Sequence, residues 1–389
     1  FKQKTAYEML RSLVGSEMCI RDSLKYINNL VPMSKSASAG AGFSYSLVNL
    51  SSDSIANVGD EVEIAASKLD VVADNGGIAI TVGAAGQTSG GKANFLGSVF
   101  SQFVDNRTHA LVGQGTFTLT SAGAKAVNLS ARDDSSPVIV VGTYSGSAGT
   151  SVGASVGWQE VTRDTVAMFG NNSRGVKGDS VLAVDFSVGD SAHITGGVAV
   201  TAKNTGMHLI VAVAGSRSGP ESSKSGEDSA AGAVGKKSKV GARVGIAGSF
   251  GLIDNEDHTL AQIQGFQEFL SADVTVTASN DTEQHIGAGG VAIASGAGST
   301  NVGIAGAISV NTAEGSTIAG IRDIGVLDTG DVIVSATRTG LMVSAAVGLG
   351  AASGSSGAAI AGSVSWLRKD ELTESLVANI ESSRVGESS

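Results

Sequence analysis

Much of the chain alternates bulky apolar residues with small or polar ones at a period of two, which is the pattern of β-strands. In Val302–Val310 the even positions are bulky apart from Gly306, whereas the odd positions are Gly, Ala or Ser. The same alternation recurs in 244–252, 152–158 and 360–366. Neither row carries a charge. We therefore expect these strands to be covered on both sides, with the bulky row filling a narrow core and the small row allowing another backbone layer to approach closely.

The middle position of the bulky row is small in five units. It is occupied by Gly97, Ala154, Gly248, Gly306 and Gly362. Helix is a poor alternative for such segments, because each interior Gly costs about 1 kcal/mol relative to Ala.

Two other segments lack this pattern and could form a short helix or a capping turn. They are Ser23–Met33 and Leu260–Phe269. Their apolar residues are weakly compatible with a helical period, so a short helix is one interpretation of each.

A second pattern, Thr/Ser-x-Ala followed by x-apolar, recurs along the whole chain. Its central residues are Ala56, Ala110, Ala167, Ala261, Ala319 and Ala378, the last copy carrying Leu376 in place of the hydroxyl residue. Apart from the long step between Ala167 and Ala261, successive copies are evenly spaced. Self-similarity at a fixed period predicts a stacked array of units instead of one globular core. The long step contains Ser216–Lys239, whose charged, Ser/Gly-rich composition predicts a flexible surface insert at 216–239.

A third pattern, apolar-x-apolar-x-Ala, follows the second about 17 residues downstream in the regular units. It ends at Ala73, Ala131, Ala202, Ala278 and Ala336. Each unit of about 57 residues then supplies about four strands, and stacked units close the hydrogen-bonding edges of their neighbours. The sequence therefore predicts an all-β fold, a parallel β-solenoid of about six repeats over residues 39–389.

The segment 1–23 differs in composition from the rest of the chain. The run from Lys2 to Ser23 looks like a translated sequencing-library adapter, and it contains Cys19, the single cysteine of the chain. We expect residues 1–23 to be such an artefact, an amphipathic helix being the alternative, and residues 24–38 to be a lead-in segment with a short helix as one interpretation. With no other cysteine, disulfides and thiolate metal sites are excluded from the array.

Composition and charge narrow the function classes further. The chain has 54 Gly, 3 Pro and 4% aromatic residues, so its core must be built from small side chains. Its net charge is −10, which repels nucleic acid and argues against that partner. The long uncharged runs are interrupted by Gly/Ser clusters, so a membrane-spanning helix is not expected.

No group of residues predicts catalysis, a cofactor or a metal. Gly86–Ala93 resembles a phosphate-binding loop but has Ala93 where a hydroxyl should hold Mg²⁺, and a strand follows where a helix is needed. The five histidines are scattered, and Glu256-Asp257-His258 is interpreted as a solvated turn. The acidic pairs Asp60-Glu61 and Asp370-Glu371 are also expected in solvated turns.

An enzyme acting on polysaccharides would need aromatic platforms beside clustered carboxylates. Trp158 and Trp366 occupy equivalent positions in two units, which favours core or edge packing over sugar stacking.

The repeats resemble those of a known family. The run AGAISVNTAEGSTIAGI (Ala305–Ile321), followed by GDVIVSATRTG (Gly330–Gly340), is similar to the repeats of bacterial leukotoxin-type filamentous adhesins, giant β-strand-repeat surface exoproteins. The likeness covers most of Ala39–Val385. It implies an internal fragment of a non-enzymatic, extracellular structural or adhesive stalk on a bacterial surface.

The partners implied by this resemblance are adjacent repeats of a longer chain and a host cell, a neighbouring cell or an extracellular matrix. Two alternatives stay open: a polysaccharide-active β-helix enzyme, which would gather two carboxylates and a base in a groove, and a membrane-active, leukotoxin-like toxin region.

Overall fold

The computed structural model describes residues 18–30, 33–36, 39–123, 125–170, 190–219, 242–296, 300–369, 375–381 and 385–386. Every regular element among them is a β-strand, and every strand pairs with its neighbours in parallel. The predicted all-β, parallel solenoid is therefore confirmed.

The strands form two sheets that face each other. Sheet A contains β1 (Met18–Leu30), β2 (Met33–Ser36), β5 (Leu69–Ser89), β8 (Val127–Asp133), β9 (Ser136–Ser147), β12 (Val198–Ser218), β14 (Val274–Ser295), β16 (Val332–Thr339) and β17 (Met342–Ser353). Sheet B contains β3 (Ala39–Val58), β4 (Val62–Ala66), β6 (Ala93–Val112), β7 (Gly115–Leu119), β10 (Thr150–Phe169), β11 (Ser191–Ile194), β13 (Arg243–Ser271), β15 (Thr300–Thr329), β18 (Ser356–Lys369), β19 (Ser375–Glu381) and β20 (Val385–Gly386).

One sequence repeat makes one coil of the solenoid. The chain runs along sheet B, turns a corner, and returns along sheet A to begin the next coil. Ala93 of β6 lies beside Thr150 of β10, and Val244 of β13 lies beside Val302 of β15, so each pair is offset by one sequence repeat. The Gly/Ala-rich strand and the Thr-x-Ala strand, expected as separate strands, are the two halves of one long strand in each coil.

The repeated alanines stack inside one end of each coil, which we call the thick end. In sheet B the row Ala56, Ala110, Ala167, Ala261 and Ala319 is fully buried. The alanines of the third pattern form a matching row in sheet A. Short strands such as β4, β7 and β11 close this end. Identical residues at successive coils thus explain why the period is visible in the sequence.

Aromatic rings fill the thick end where the chain turns its corner. Phe169 lies 5.0 Å from Phe117 and 4.9 Å from Phe266, between ring centroids, in edge-to-face arrangements. The corner itself uses left-handed backbone, with φ of 93° at Gly170 and 76° at Gly265. Burial of these few aromatic side chains supplies the apolar volume that the rest of the core lacks.

At the opposite end, which we call the thin end, the two sheets approach closely and most inward side chains of sheet B are small, with the buried Leu96 and Phe100 as exceptions. Ala305 and Ser309 are buried there, whereas Ile308 of the bulky row points outward with 42% of its surface exposed. A Cβ added at Gly153 would lie 2.5 Å from the carbonyl oxygen of Gly215 in the facing sheet. The small row therefore meets another backbone layer, as expected. The bulky row does not fill the core, and this part of the prediction is wrong.

This close approach predicts different tolerance at two glycines of the same strand. A methyl group at Gly303 would lie 2.4 Å from the carbonyl oxygen of Ala351, whereas at Gly306 the nearest atom would be 3.9 Å away. We expect Gly303→Ala to destabilise the fold by about 1–3 kcal/mol, the usual cost of overpacking. Gly306→Ala, the matched control, should leave stability nearly unchanged. Urea unfolding of both variants measures the difference, and equal stabilities would contradict the close packing.

The long step between Ala167 and Ala261 contains two interruptions instead of one. The difference in residue number between two paired residues is 57 for Phe169 and Val112, but it is 75 for Ser191 and Thr116. It rises again from 71 at Ser218 and Ser147 to 94 at Val244 and Thr150. Of the predicted insert at 216–239, Ser216–Ser218 are the last residues of β12, and residues 220–241 lie outside the described residues.

Both segments interpreted as short helices are strands, so those expectations are wrong. The described part of Ser23–Met33 belongs to β1 and the start of β2, and Leu260–Phe269 lies within β13. In each case the neighbouring coil offers a parallel edge in register, as in the pairing of Leu260 with Ile318. Hydrogen bonds to this edge outweigh a weak local preference for helix. Residues 1–17 lie outside the described residues.

Candidate functional site

The densest group of polar side chains lies inside the solenoid, between the thick and thin ends. Sheet A kinks at this level: Gly206 has a φ of 128° and Gly340 one of 145°, and the gaps between β8 and β9 and between β16 and β17 lie here. We call this group the polar seam. Its sheet A row is Asn75, Asp133, Asn204, Asn280 and Arg338, and its sheet B row is Ser52, Asn106, Arg163, Asp257 and Gly315.

Arg163 is the centre of the polar seam and is fully buried. Its Nε and Nη2 atoms donate to the two carboxylate oxygens of Asp257, each at 2.7 Å. Its Nη1 atom donates to the carbonyl oxygen of Thr205, at the kink of sheet A, at 2.6 Å. The two-pronged geometry is the strong form of an arginine–carboxylate pair. It also gives the carbonyl oxygen of Thr205 a donor at the point where the pairing of β12 with β8 has ended.

A second buried carboxylate, Asp133, lies 3.9 Å from Arg163 Nη1. Its Oδ2 accepts hydrogen bonds from the side-chain amides of Asn75 and Asn106, both at 3.1 Å, and its Oδ1 accepts from the backbone and hydroxyl of Ser135. Asp133, Arg163 and Asp257 come from successive coils. The seam therefore alternates negative, positive and negative charge along the solenoid axis.

The electrostatics of the seam follow from burial and from this pairing. Burial alone would lower the pKa of Arg163, but the Asp257 carboxylate outweighs it and raises that pKa. Burial would likewise raise the pKa of Asp257, but the Arg163 guanidinium holds it well below its usual range. His208, also fully buried, has its pKa lowered to about 3 by burial and by the nearby Arg163 charge. The seam thus holds an ion pair beside a neutral histidine.

The seam has the composition of an active site but the environment of a structural core. Arg163 and Asp257 have no exposed surface and form an ion pair, with Asp133 as a second carboxylate 3.9 Å from Arg163. Asp257 also lines a cavity of about 120 Å³ together with Asn280, Thr282 and Arg338. We assign the seam to register and stability, since a row of distinct polar partners fixes which coil lies next to which.

The seam did not emerge from the patterns of the sequence, although a signal for it exists. Every complete copy of the third pattern is followed, two positions after its alanine, by Asn75, Asp133, Asn204, Asn280 or Arg338. These positions share the inward parity of the alanines. Extending the pattern by two positions would have located the sheet A row.

The segment that contains His258 differs from the prediction. The strand β13 contains Glu256-Asp257-His258, so the interpretation of these residues as a solvated turn is wrong. Asp257 points inward, while Glu256 and His258 share the outer face and their side chains lie 3.1 Å apart. His285 and Glu283 form a similar outward pair at 3.3 Å. Across the described residues, no three His, Cys, Asp or Glu side chains are grouped to hold a metal ion.

Two other candidate segments lie where the sequence placed them, and a third falls outside the described residues. Gly86–Ala93 is the end of one strand, a turn and the start of the next strand, with no helix to face a phosphate. Asp60 and Glu61 occupy the exposed connection between β3 and β4. Asp370 and Glu371 lie outside the described residues.

The bulky rows of sheet B form a continuous apolar surface on the outside of the thin end. We call it the apolar face. Three of its rows are bulky in most coils. They comprise Ala41, Phe95, Val152, Ile246, Ile304 and Ile360; then Tyr45, Val99, Val156, Phe250, Ile308 and Val364; then Leu47, Ser101, Trp158, Leu252, Val310 and Trp366.

Two further rows complete the apolar face. Between the first two bulky rows runs a row of mostly small residues: Phe43, Gly97, Ala154, Gly248, Gly306 and Gly362. The outermost row, where the long strands begin, contains Ala39, Ala93, Thr150, Val244, Val302 and Ala358.

The small row makes a groove along the apolar face. A Cβ added at Gly248 would meet no atom within 4 Å, and at Gly306 the nearest atom would be 3.9 Å away. The ring of Phe43 closes the groove at the first coil, 3.1 Å from the same position of Gly97. The groove is therefore open over the later coils and flanked by bulky rows.

Trp158 belongs to this face and not to the core. It is 41% exposed, and its ring lies 5.9 Å from that of Phe103. Trp366 is more exposed and lies on β18. Of the core or edge packing expected for these residues, core packing is thus wrong for both, because the bulky row of each long strand points outward.

An acidic band borders the apolar face towards the middle of each coil. Its outward residues include Asp105, Glu160, Asp254, Glu256 and Glu314, from four successive coils. The outer surface of sheet B thus has an uncharged half bordered by a mainly acidic band, in which Arg107 and Arg368 also point outward.

Comparison with known proteins adds no relative. A scan of protein-family models and searches of curated proteins and of solved structures find no match to this chain. Within the described residues there is no helix with the length and apolar character needed to cross a membrane.

Proposed function

We propose that the chain is a non-enzymatic structural and adhesive segment of a large bacterial surface or secreted protein, working outside the cell. One observation carries the proposal: the inward positions are packed with side chains from coil to coil, and the charged pair among them, Arg163 and Asp257, has no exposed surface. The chemistry available to a partner is then that of the outer faces. The resemblance of the repeats to filamentous adhesins supports the same role.

The dimensions of a coil refine this proposal. Each repeat of about 57 residues adds one strand spacing, about 4.8 Å, to the length of the solenoid, whereas a strand of about 20 residues spans roughly 65 Å. Each added repeat therefore enlarges the outer faces of the solenoid much more than it lengthens the solenoid. Such a segment suits a broad ribbon that presents large flat faces, and a long stalk of this type needs many repeats.

Attachment under flow tests the adhesive role. Beads coated with the folded chain should be retained several-fold better on bacterial cells, epithelial cells or a polysaccharide matrix than beads coated with the heat-unfolded chain. Retention no better than this control on all three surfaces would contradict adhesion. Release of reducing sugar ends from the matrix by the purified chain would instead favour the polysaccharide-active enzyme, and leakage of vesicles would favour the membrane-active region.

A further inference from the structure

We propose that the apolar face is a self-association surface, on which a second copy of this chain packs sheet against sheet. This inference goes beyond the stalk role and does not depend on it. It rests on the size of the face, on its lack of charge, and on the shape of its groove.

The size of the face is that of a stable interface. Five outward rows across six strands cover roughly 25 Å by 25 Å, or about 600 Å² in projection, from the spacings of β-structure. A standard protein interface buries about 800 Å² of accessible surface per partner, and a corrugated face has more accessible surface than its projection. Monomers rarely leave an apolar patch of this size in water.

The chemistry of the face favours another apolar sheet as its occupant. None of its rows contains a charged residue, so neither an acidic nor a basic partner finds a counter-charge there. The outer face of sheet A at the same end is less suitable, because Arg217 and His285 interrupt its apolar rows. Of the two outer faces, sheet B therefore offers the larger uninterrupted apolar surface.

The shape of the face makes it complementary to itself. The groove over Gly248 and Gly306 lies beside the bulky row that contains Phe250 and Ile308. A two-fold axis parallel to the solenoid axis, placed between these rows, sets the bulky row of each copy over the groove of the other. Such an arrangement uses the same patch on both copies, as a closed dimer requires. Sheets packed in this way lie about 10 Å apart.

Filling the groove tests the proposal at a position where an added Cβ meets no other atom. Gly248→Leu places a side chain in open space on sheet B, and Gly287→Leu does the same on sheet A, where an added Cβ also meets no atom within 4 Å. Sedimentation velocity over a range of concentrations should show a dimer for the natural chain and for Gly287→Leu. We expect dimerisation of Gly248→Leu to be weaker by at least about tenfold, the effect of losing a central contact. Circular dichroism confirms that all three are folded.

A second pair of variants covers the case in which Gly248→Leu does not fold. Ile308→Lys and Ile293→Lys replace outward isoleucines of sheets B and A that are 42% and 41% exposed. Only Ile308→Lys should abolish the dimer, because it buries a charge in the interface. A monomer at every concentration of the natural chain would overturn the proposal. So would loss of the dimer in the sheet A variants alone, or monomers that float with phosphatidylcholine vesicles in place of dimers.

Discussion

Replacing Arg163 with methionine is expected to lower the free energy of unfolding by about 3–5 kcal/mol, the cost of leaving one partner of a buried ion pair uncompensated. The variant keeps Asp257 and Asp133 in the interior with no positive charge between them. Chemical denaturation followed by circular dichroism measures the loss. Arg107→Met is the matched control, since Arg107 points outward on the adjacent strand, and it should change stability by less than about 0.5 kcal/mol.

A double variant distinguishes the effect of breaking the ion pair from the effect of losing side-chain packing. Arg163→Met combined with Asp257→Leu removes both charges and should recover a large part of the stability, because an apolar pair can replace a buried ion pair. If Arg163→Met alone is as stable as the natural chain, the seam does not hold the coils in register.

Stability should also fall as the pH is lowered through the range in which an ordinary histidine takes up a proton. The pKa of His208 is lowered to about 3 in the folded chain from an ordinary value of 6.5. Between these values the unfolded chain binds a proton that the folded chain cannot accept. The stabilising contribution is therefore complete above pH 6.5 and declines by about 1.4 kcal/mol per pH unit below it.

The corresponding measurement is the free energy of unfolding at pH 7 and at pH 5. The natural chain should lose about 2 kcal/mol over this interval through His208. His208→Leu should flatten this dependence, whereas His258→Asn, a change on the outer face, should retain it. An unchanged pH dependence in His208→Leu would show that another group controls it.

The period and the strand type could be predicted because the inner rows repeat the same residues. Ala167 and Ala261 lie side by side in neighbouring coils, so the packing constraint on each reappears one coil later in the sequence. Parallel pairing followed from the same argument. The interruption between Phe169 and Ser191 could not be distinguished from the one between Ser218 and Val244, because the spacing between the alanines gives only the sum of the two.

The orientation of the bulky row was wrong because two strands were treated separately. Gly303 and Ala319 have the same parity and belong to one continuous strand, β15. Since Ala319 points inward, Gly303 must as well, and the bulky residues between them point outward. Charge gave no guidance, because both rows are uncharged. The apolar face, which is the main candidate interaction surface, could be predicted only by recognising that the two segments form one strand.

The polar seam was missed for a different reason. Its members are ordinary polar residues that become distinctive only through burial, and their order along the chain does not bring Arg163 near Asp257. The long interruption of that coil separates two residues that are neighbours in the ladder. Only the register of β10 and β13 places them together.

The central claim is that one repeat makes one coil whose rows continue into the next. Spin labels on an outward row of sheet A test it most directly, in a Cys19→Ser background. Pairs at Ser279 and Thr337, at Lys203 and Thr337, and at Arg132 and Thr337 span one, two and three coils. Dipolar broadening should report backbone separations that grow by about 4.8 Å per coil. Separations beyond about 25 Å, or no increase with the number of coils, would contradict the stacked arrangement.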